Sequence, residues 1–410
     1  VTGLIHETIL EHAMKTIRRA IKRACVVSLP VFLLMLAGTP SIAQPSGTTA
    51  QGGYPRILPD NRVAFQLRAP DARKVQINLG RLYDMQKDDS GVWTVTTAPQ
   101  DPGFHYYSLV IDGVSVVDPA SETFYGTGRT SSAVEIPEPG VDFYTVKEVP
   151  HGELRSKRYF SKVTDSWRRL FVYTPPGYDQ DTGRKYPVLY IQHGGGEDET
   201  GWATQGRTDI ILDNLIAAGR AQPMLVVIAN GNVPAPGGAR GGYSAAGMAG
   251  FANELLNNIV PFVERNYRVM TNAENRALSG LSMGGGQAFY TGLANKDKFA
   301  SIGVFSTGLF GGIARGPTGG GAFNAEEQVP GLLTNAQSFN DALKVFYISV
   351  GEQDPRLEPT KKAVADFKSH GLKVEFASFP GGHEWQVWRK SLHDFAQRIF
   401  KPQGRAAQTP

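Results

Sequence analysis

The sequence predicts an α/β chain: a mostly parallel sheet covered by helices on both faces, preceded by a small all-β, immunoglobulin-like sandwich. Three observations lead there. From about Val149 onward, short apolar runs alternate with segments of helical length. Before that point apolar and polar residues alternate at period two. A Pro-rich bridge, Pro137 to Pro150, separates the two regimes. With 410 residues, 41% apolar and 20% charged, the chain is long enough to bury two cores.

The first residues read differently from the rest. Lys15, Arg18, Arg19, Lys22 and Arg23 form a basic region, Ala24 to Ala37 an apolar one, and Ser41-Ile42-Ala43 supplies small residues for cleavage. This pattern predicts residues 1–43 to be a leader ending in a signal peptide cut after Ala43, and a secreted or periplasmic bacterial protein. The apolar run is shorter than the ~20 residues a membrane span needs, and Pro30 interrupts it. Met14 directly precedes the basic region, so Val1 to Ala13 stand outside the fold reasoning. The single cysteine, Cys25, lies inside the leader, leaving the mature chain to rely on its core instead of disulfides. Residues 1–43 carry five basic and two acidic side chains, so the remainder holds 37 basic against 36 acidic. That balance suggests neither a nucleic-acid partner nor a membrane surface.

Residues 44–54 are rich in Pro, Gly, Ser and Thr and read as a linker. The sandwich is placed at 55–140. Val63, Phe65 and Leu67 alternate, as do Val75, Ile77 and Leu79, then Trp93 and Val95, then Tyr107, Leu109 and Ile111 before an Asp112-Gly113 turn. Residues 150–401 carry the β/α pattern. Buried strands are predicted at Val188 to Gln192, Leu225 to Ala229, Ile302 to Ser306, Val345 to Val350 and Val374 to Phe379. Helices are predicted at Asp209 to Ala218, Phe251 to Tyr267 and Thr360 to Ser369. Two Gly-rich stretches, Pro234 to Gly247 and Gly311 to Gly321, read as long loops, and 402–410 as a disordered tail.

Within this frame Gly280-Leu281-Ser282-Met283-Gly284 matches GxSxG, between a strand ending at Leu278 and a helix starting near Gly285. The motif needs small residues two before and two after the serine because the serine occupies a tight, strained strand-to-helix turn. A serine hydroxyl is a weak nucleophile until a base takes its proton. His383 follows the strand Val374 to Phe379 on a Gly-rich loop, and Asp354 follows Val345 to Val350, ready to fix the imidazole tautomer. Glu352, two residues earlier, competes with Asp354 for that place. The order Ser282, Asp354, His383 is that of an α/β-hydrolase.

His193-Gly194-Gly195-Gly196 follows the strand Val188 to Gln192, which nominates the N–H groups of Gly195 and Met283 as an oxyanion hole. Trp202, Tyr243, Trp385 and Trp388 are candidates for contacting an aromatic acyl group. His393 fits a helical packing position. A phosphate loop is excluded because Gln287 and Ala288 follow Gly286, and a dinucleotide loop because Phe289 stands where its third glycine belongs. Val387 stands where HExxH needs its second histidine, so no metal or cofactor is expected.

Asp213 to Ala218, Ile259 to Arg268, Ala277 to Leu293, Lys298 to Ser306 and Gly381 to Trp388 together resemble the feruloyl esterase domains of carbohydrate esterase family 1, a group related to esterase D. The resemblance spans about Val149 to Phe400, and LSGLSMGGGQAF and GGHEWQVW are its most specific parts. The front region resembles the early-set, carbohydrate-binding-module-48 type found ahead of some of these esterases. The resemblance implies hydrolysis of hydroxycinnamate esters on feruloylated arabinoxylan, with Ser282 as nucleophile, Asp354 as acid, His383 as base and no cofactor. It also leaves room for acetylxylan and other short-acyl esterases. A catalytically silent glycan-binding protein on the same scaffold is the alternative of another class. The chain departs from the family in having only glycines within the oxyanion loop. For glycan contact by the front domain, Trp93, Tyr83 and Tyr106 are the stacking candidates.

Overall fold

An eight-stranded sheet forms the centre of the chain in a computed structural model that describes residues 53–234, 244–311 and 323–401. The leader, most of the linker, most of both Gly-rich stretches, Tyr243 and the tail lie outside the described residues. Numbered within this sheet, the strands are β1 Glu153–Ser161, β2 Ser166–Thr174, β3 Val188–Gln192, β4 Leu225–Ala229, β5 Arg276–Leu281, β6 Ser301–Phe305, β7 Val345–Gly351 and β8 Glu375–Phe379. Their order is β1-β2-β4-β3-β5-β6-β7-β8, antiparallel at β1-β2-β4 and parallel from β4 onward.

Strands β3 to β7 are buried along their whole length because both of their faces are covered. Tyr190, Val227, Leu278, Ile302 and Ile348 pack on one side with Phe251, Phe289 and Phe367. Leu189, Ile191, Val226, Ala277 and Tyr347 pack on the other with Leu212, Trp385 and Phe395. The segment expected as one helix over Phe251 to Tyr267 is Ala245–Glu254, a π turn at Leu255–Ile259, and Val260–Asn266. Pro261 has no N–H to give to Asn257 and crowds its carbonyl, so the helix widens just before it. The β1–β2 hairpin escaped the sequence reading. Its outer strand exposes Ser156, Lys157 and Arg158 in succession, which hides the period.

The front region is all antiparallel. Arg56–Ile57, Val63–Arg68, Val92–Thr96 and Gln86–Lys87 make one sheet. Arg81–Asp84, Val75–Leu79, Gly103–Ile111, Arg129–Ile136 and Thr123–Gly126 make the other, with Val114–Val116 on its flank. Their shared core holds Val63, Phe65, Val75, Ile77, Trp93, Tyr107, Leu109 and Val134. Trp93 is 6% exposed and its Nε1 donates to the Ala69 carbonyl, so it is a core residue and not a glycan platform.

Strand Gly103–Ile111 has two buried faces. Tyr107 and Leu109 point into the sandwich, while Phe104 and Tyr106 point to the opposite side and join the second core of the large sheet with Trp385 and Trp388. Polar contacts fix this joint. Arg389 is fully buried; its Nη1 donates to Glu135 Oε1 at 2.8 Å and its Nε to the Gln205 carbonyl at 2.7 Å. Gly128 N–H donates to the Gly196 carbonyl at 2.7 Å, which ties a turn of the sandwich to the loop after β3.

Candidate active site

β5 lies at the middle of the sheet, and Ser282 follows its last residue. The serine has φ 51° and ψ −113° and is the cap of helix Met283–Ala294. Such a backbone costs about 1–3 kcal/mol and survives only where packing dictates it. The glycines show what dictates it here. A Cβ on Gly280 would lie 2.5 Å from the Gly284 backbone, and one on Gly284 would lie 2.5 Å from the His193 carbonyl oxygen. Only hydrogens fit at either place, so the strand, the turn and the β3 loop close onto one another.

Ser282, Asp354 and His383 come from the carboxyl ends of β5, β7 and β8, the edge where such sheets place their sites. His383 Nε2 is 3.0 Å from Ser282 Oγ, and its Nδ1 is 2.7 Å from Asp354 Oδ2. The other carboxylate oxygen, Oδ1, accepts from the backbone N–H and from Nη1 of Arg356, both at 3.0 Å. Burial alone would raise the pKa of Asp354, but the His383 bond and the two Arg356 bonds outweigh it and hold the carboxyl below its usual range. Glu352 takes no part: its nearest polar partner is Ser378 Oγ.

The loop after β3 is built on His193. This imidazole is fully buried; Nδ1 is 2.8 Å from the Gly194 carbonyl and Nε2 accepts from Gly231 N–H at 2.9 Å. An N–H at Nδ1 and an acceptor at Nε2 define a neutral ring, and burial lowers its pKa accordingly. So the leading residue of His193-Gly194-Gly195-Gly196 is a brace. Gly195 lines the cavity over Ser282, and Met283 begins its helix, where an N–H has no carbonyl one turn back. Of the two nominated donors, Gly195 borders the cavity at Ser282 and Met283 directly follows the nucleophile in the chain.

The cavity beside Ser282 measures about 230 Å³ and is lined by Leu281, His383, Trp385 and Trp388 from the large domain and by Phe104, Tyr106 and Thr127 from the sandwich. Trp388 stands edge-on to His383 with centroids 5.1 Å apart, and Trp385 edge-on to Trp388 at 5.1 Å. Trp202 is not on the wall, contrary to expectation. It is wholly buried, donates Nε1 to the Gln192 carbonyl at 2.9 Å, and supports Trp385 from behind at 5.3 Å. Tyr243 lies outside the described residues.

Sequence reasoning missed Glu197. It lines the same cavity, is 5% exposed, and its Oε2 accepts from Gly194 N–H at 3.0 Å. A Cβ on Gly194 would be 3.4 Å from both that oxygen and Ser282 Cβ, so carboxyl and nucleophile flank one glycine. Burial, against the bond from Gly194, pushes its pKa up to about 7. A glutamate four residues after a buried histidine gave no signal of this. Ionised, it sets a negative charge across Gly194 from the nucleophile, where it opposes a developing oxyanion; about 1.4 kcal/mol of such opposition is a tenfold change in rate. We expect kcat/KM to decline about tenfold above neutral pH in the wild type, and this decline to vanish in Glu197→Gln. The folded-state pKa exceeds the ordinary 4.5, so the native state holds the proton more tightly and stability is lost as pH rises through about 7. Glu197→Gln should accordingly melt higher than wild type at pH 8, with the gap closing towards pH 4.5.

A sheet of this order carrying a Ser–His–Asp relay at its carboxyl edge defines an α/β-hydrolase. More narrowly, the chain belongs to the family described as "Putative esterase", which matches residues 161–399. It is 35% identical over 362 residues to the endo-1,4-beta-xylanase/feruloyl esterase of Xylanibacter ruminicola, covering 85% of this chain and 46% of that protein. The chain thus spans about half the length of that relative. Among solved structures it resembles the CE1 ferulic acid esterase AmCE1/Fae1A of Anaeromyces mucronatus in complex with ferulic acid, with TM-score 0.53 and 27% identity over 63% of this chain and 95% of that one. It shares its fold with the enterobactin esterase FES of Shigella flexneri, with TM-score 0.58 and 18% identity over 82% of this chain and 93% of that one.

Proposed function

We propose that the protein releases ferulic or related hydroxycinnamic acids from feruloylated arabinoxylan through an acyl-enzyme. The observation that carries this is the aromatic cavity opening directly onto Ser282 Oγ. At about 230 Å³ it falls below the ~300–1,000 Å³ of sites that enclose whole drug-sized ligands, so it suits one flat acyl group with the sugar left outside. The similarity to proteins described as feruloyl or ferulic acid esterases supports the same choice.

In this reading Ser282 Oγ attacks the ester carbonyl while His383 Nε2 takes its proton, and the N–H groups of Gly195 and Met283 hold the oxyanion. His383 then gives that proton to the departing sugar oxygen, leaving the acyl group on Ser282. Water enters by the same route and frees the acid. Asp354, held below the usual carboxylate range, stays ionised and keeps the imidazole oriented through both steps.

The deciding experiment compares methyl ferulate, acetylated xylan and 4-nitrophenyl acetate on one preparation. Methyl ferulate is expected to have the highest kcat/KM. Preference for acetylated xylan would turn the assignment to a short-acyl esterase, and xylan binding without turnover of any ester to a glycan-binding protein. Export rests on the basic and apolar pattern of residues 1–43, and N-terminal sequencing of the exported protein should begin at Gln44.

A further inference from the structure

We propose that the front sandwich completes the acyl site, and that Tyr106 selects acyl groups whose aromatic ring carries an oxygen substituent, by donating its hydroxyl hydrogen to that oxygen. This rests on the feruloyl reading above and names a residue outside the esterase domain as its specificity determinant.

The argument begins with hydrogen-bond accounting at one atom. Tyr106 Oη accepts from Gln205 Nε2 at 2.7 Å and from Trp385 Nε1 at 3.0 Å. Neither bond can be reversed. Indole nitrogen only donates, and the Gln205 amide is fixed because its Nε2 also donates to the Tyr125 carbonyl at 2.8 Å while its Oε1 accepts from Thr204 Oγ1. Both acceptor positions of the phenol oxygen are therefore used, and its hydrogen has no protein acceptor among the described hydrogen bonds. Burial and then the nearby Glu197 raise the pKa of this phenol well above its ordinary value, so it remains a donor at any working pH.

Position gives the donor its target. Tyr106 lines the same cavity as Ser282, and it is reached from His383 by two successive ring contacts, Trp388 and then Trp385. In this assignment it takes the end of the cavity away from the ester. A flat acyl group with its carbonyl at Ser282 and its ring along the tryptophans presents its ring substituents to Tyr106. Room for the hydroxyl comes from Gly126, where a Cβ would lie 2.2 Å from Tyr106 Oη. The wall is held in register by the Gly128 to Gly196 bond and by the buried Arg389–Glu135 pair.

The test uses the full chain and three substrates: methyl ferulate, methyl cinnamate, which lacks the ring oxygens, and 4-nitrophenyl acetate, which lacks the acyl ring. Tyr106→Phe keeps the ring and removes the hydroxyl. It should lower kcat/KM for methyl ferulate about tenfold and leave the other two within about threefold. Gly126→Ala keeps the hydroxyl but displaces it, and should reduce the ferulate-to-cinnamate ratio likewise; if Tyr106→Phe does not fold, this ratio decides. An equal fall on all three substrates, or an unchanged ratio, overturns the inference while the feruloyl reading stands. A wild-type enzyme that turns over 4-nitrophenyl acetate but not methyl ferulate removes the feruloyl reading, and this inference with it.

Discussion

Ser282→Ala is expected to lose methyl ferulate hydrolysis by at least ~10³-fold while the protein stays folded. The side chain has a single recorded bond, from Oγ to His383 Nε2 at 3.0 Å, so its removal costs on the order of 1 kcal/mol of stability. Alanine keeps the Cβ that Gly194 already accommodates, and the strained φ of 51° is imposed by neighbours that the substitution leaves in place. The oxyanion donors and the aromatic cavity also remain, so binding of ferulate should persist. A variant that melts near the wild-type temperature, binds ferulate and does not turn over its ester assigns the loss to the missing nucleophile. Activity within tenfold of wild type would mean that another group attacks, and the relay from Asp354 through His383 to Ser282 would lose its catalytic meaning.

Much of this site was legible because β3 and β7 read as apolar runs and the GxSxG motif marks the turn after β5. His193 directly after β3 and Pro380 directly after β8 mark the edge of the sheet. What stayed hidden depends on how faces meet. Trp202 and Trp385 look alike in sequence, yet one is wholly buried behind the other. Tyr106 reads as one more alternating strand residue. Its role arises only because the second face of strand Gly103–Ile111 meets a helix whose first residue, Trp385, lies 279 positions later. Glu197 was silent for a similar reason, since its raised pKa follows from burial that no local pattern encodes. Gly126 shows the same limit from the other side: its missing side chain matters only because of a tyrosine on a strand two places across the sheet.

The choice between Asp354 and Glu352 was open in sequence, and the geometry turns it into a second large expected effect. Asp354→Asn should lower kcat by about 10³–10⁴-fold. The reason is the fixed orientation of the carboxylate. Oδ1 accepts two bonds from Arg356, at the backbone N–H and at Nη1, so in the asparagine variant the amide oxygen takes that place. The NH₂ group is then left 2.7 Å from His383 Nδ1, the distance now spanned by the Asp354 bond. A donor facing Nδ1 makes that nitrogen the acceptor and moves the ring proton to Nε2, the atom that must receive the proton of Ser282. The nucleophile is then present, correctly placed and without a base. Glu352→Gln removes a carboxylate of the same charge two residues away, bonded to Ser378 Oγ at 3.5 Å, and should leave kcat within about twofold. Measuring both variants beside wild type on methyl ferulate separates the two carboxylates. A large loss in Glu352→Gln with retained activity in Asp354→Asn would mean that the working enzyme reorganises this loop, because no imidazole held as His383 is here could be oriented by Glu352.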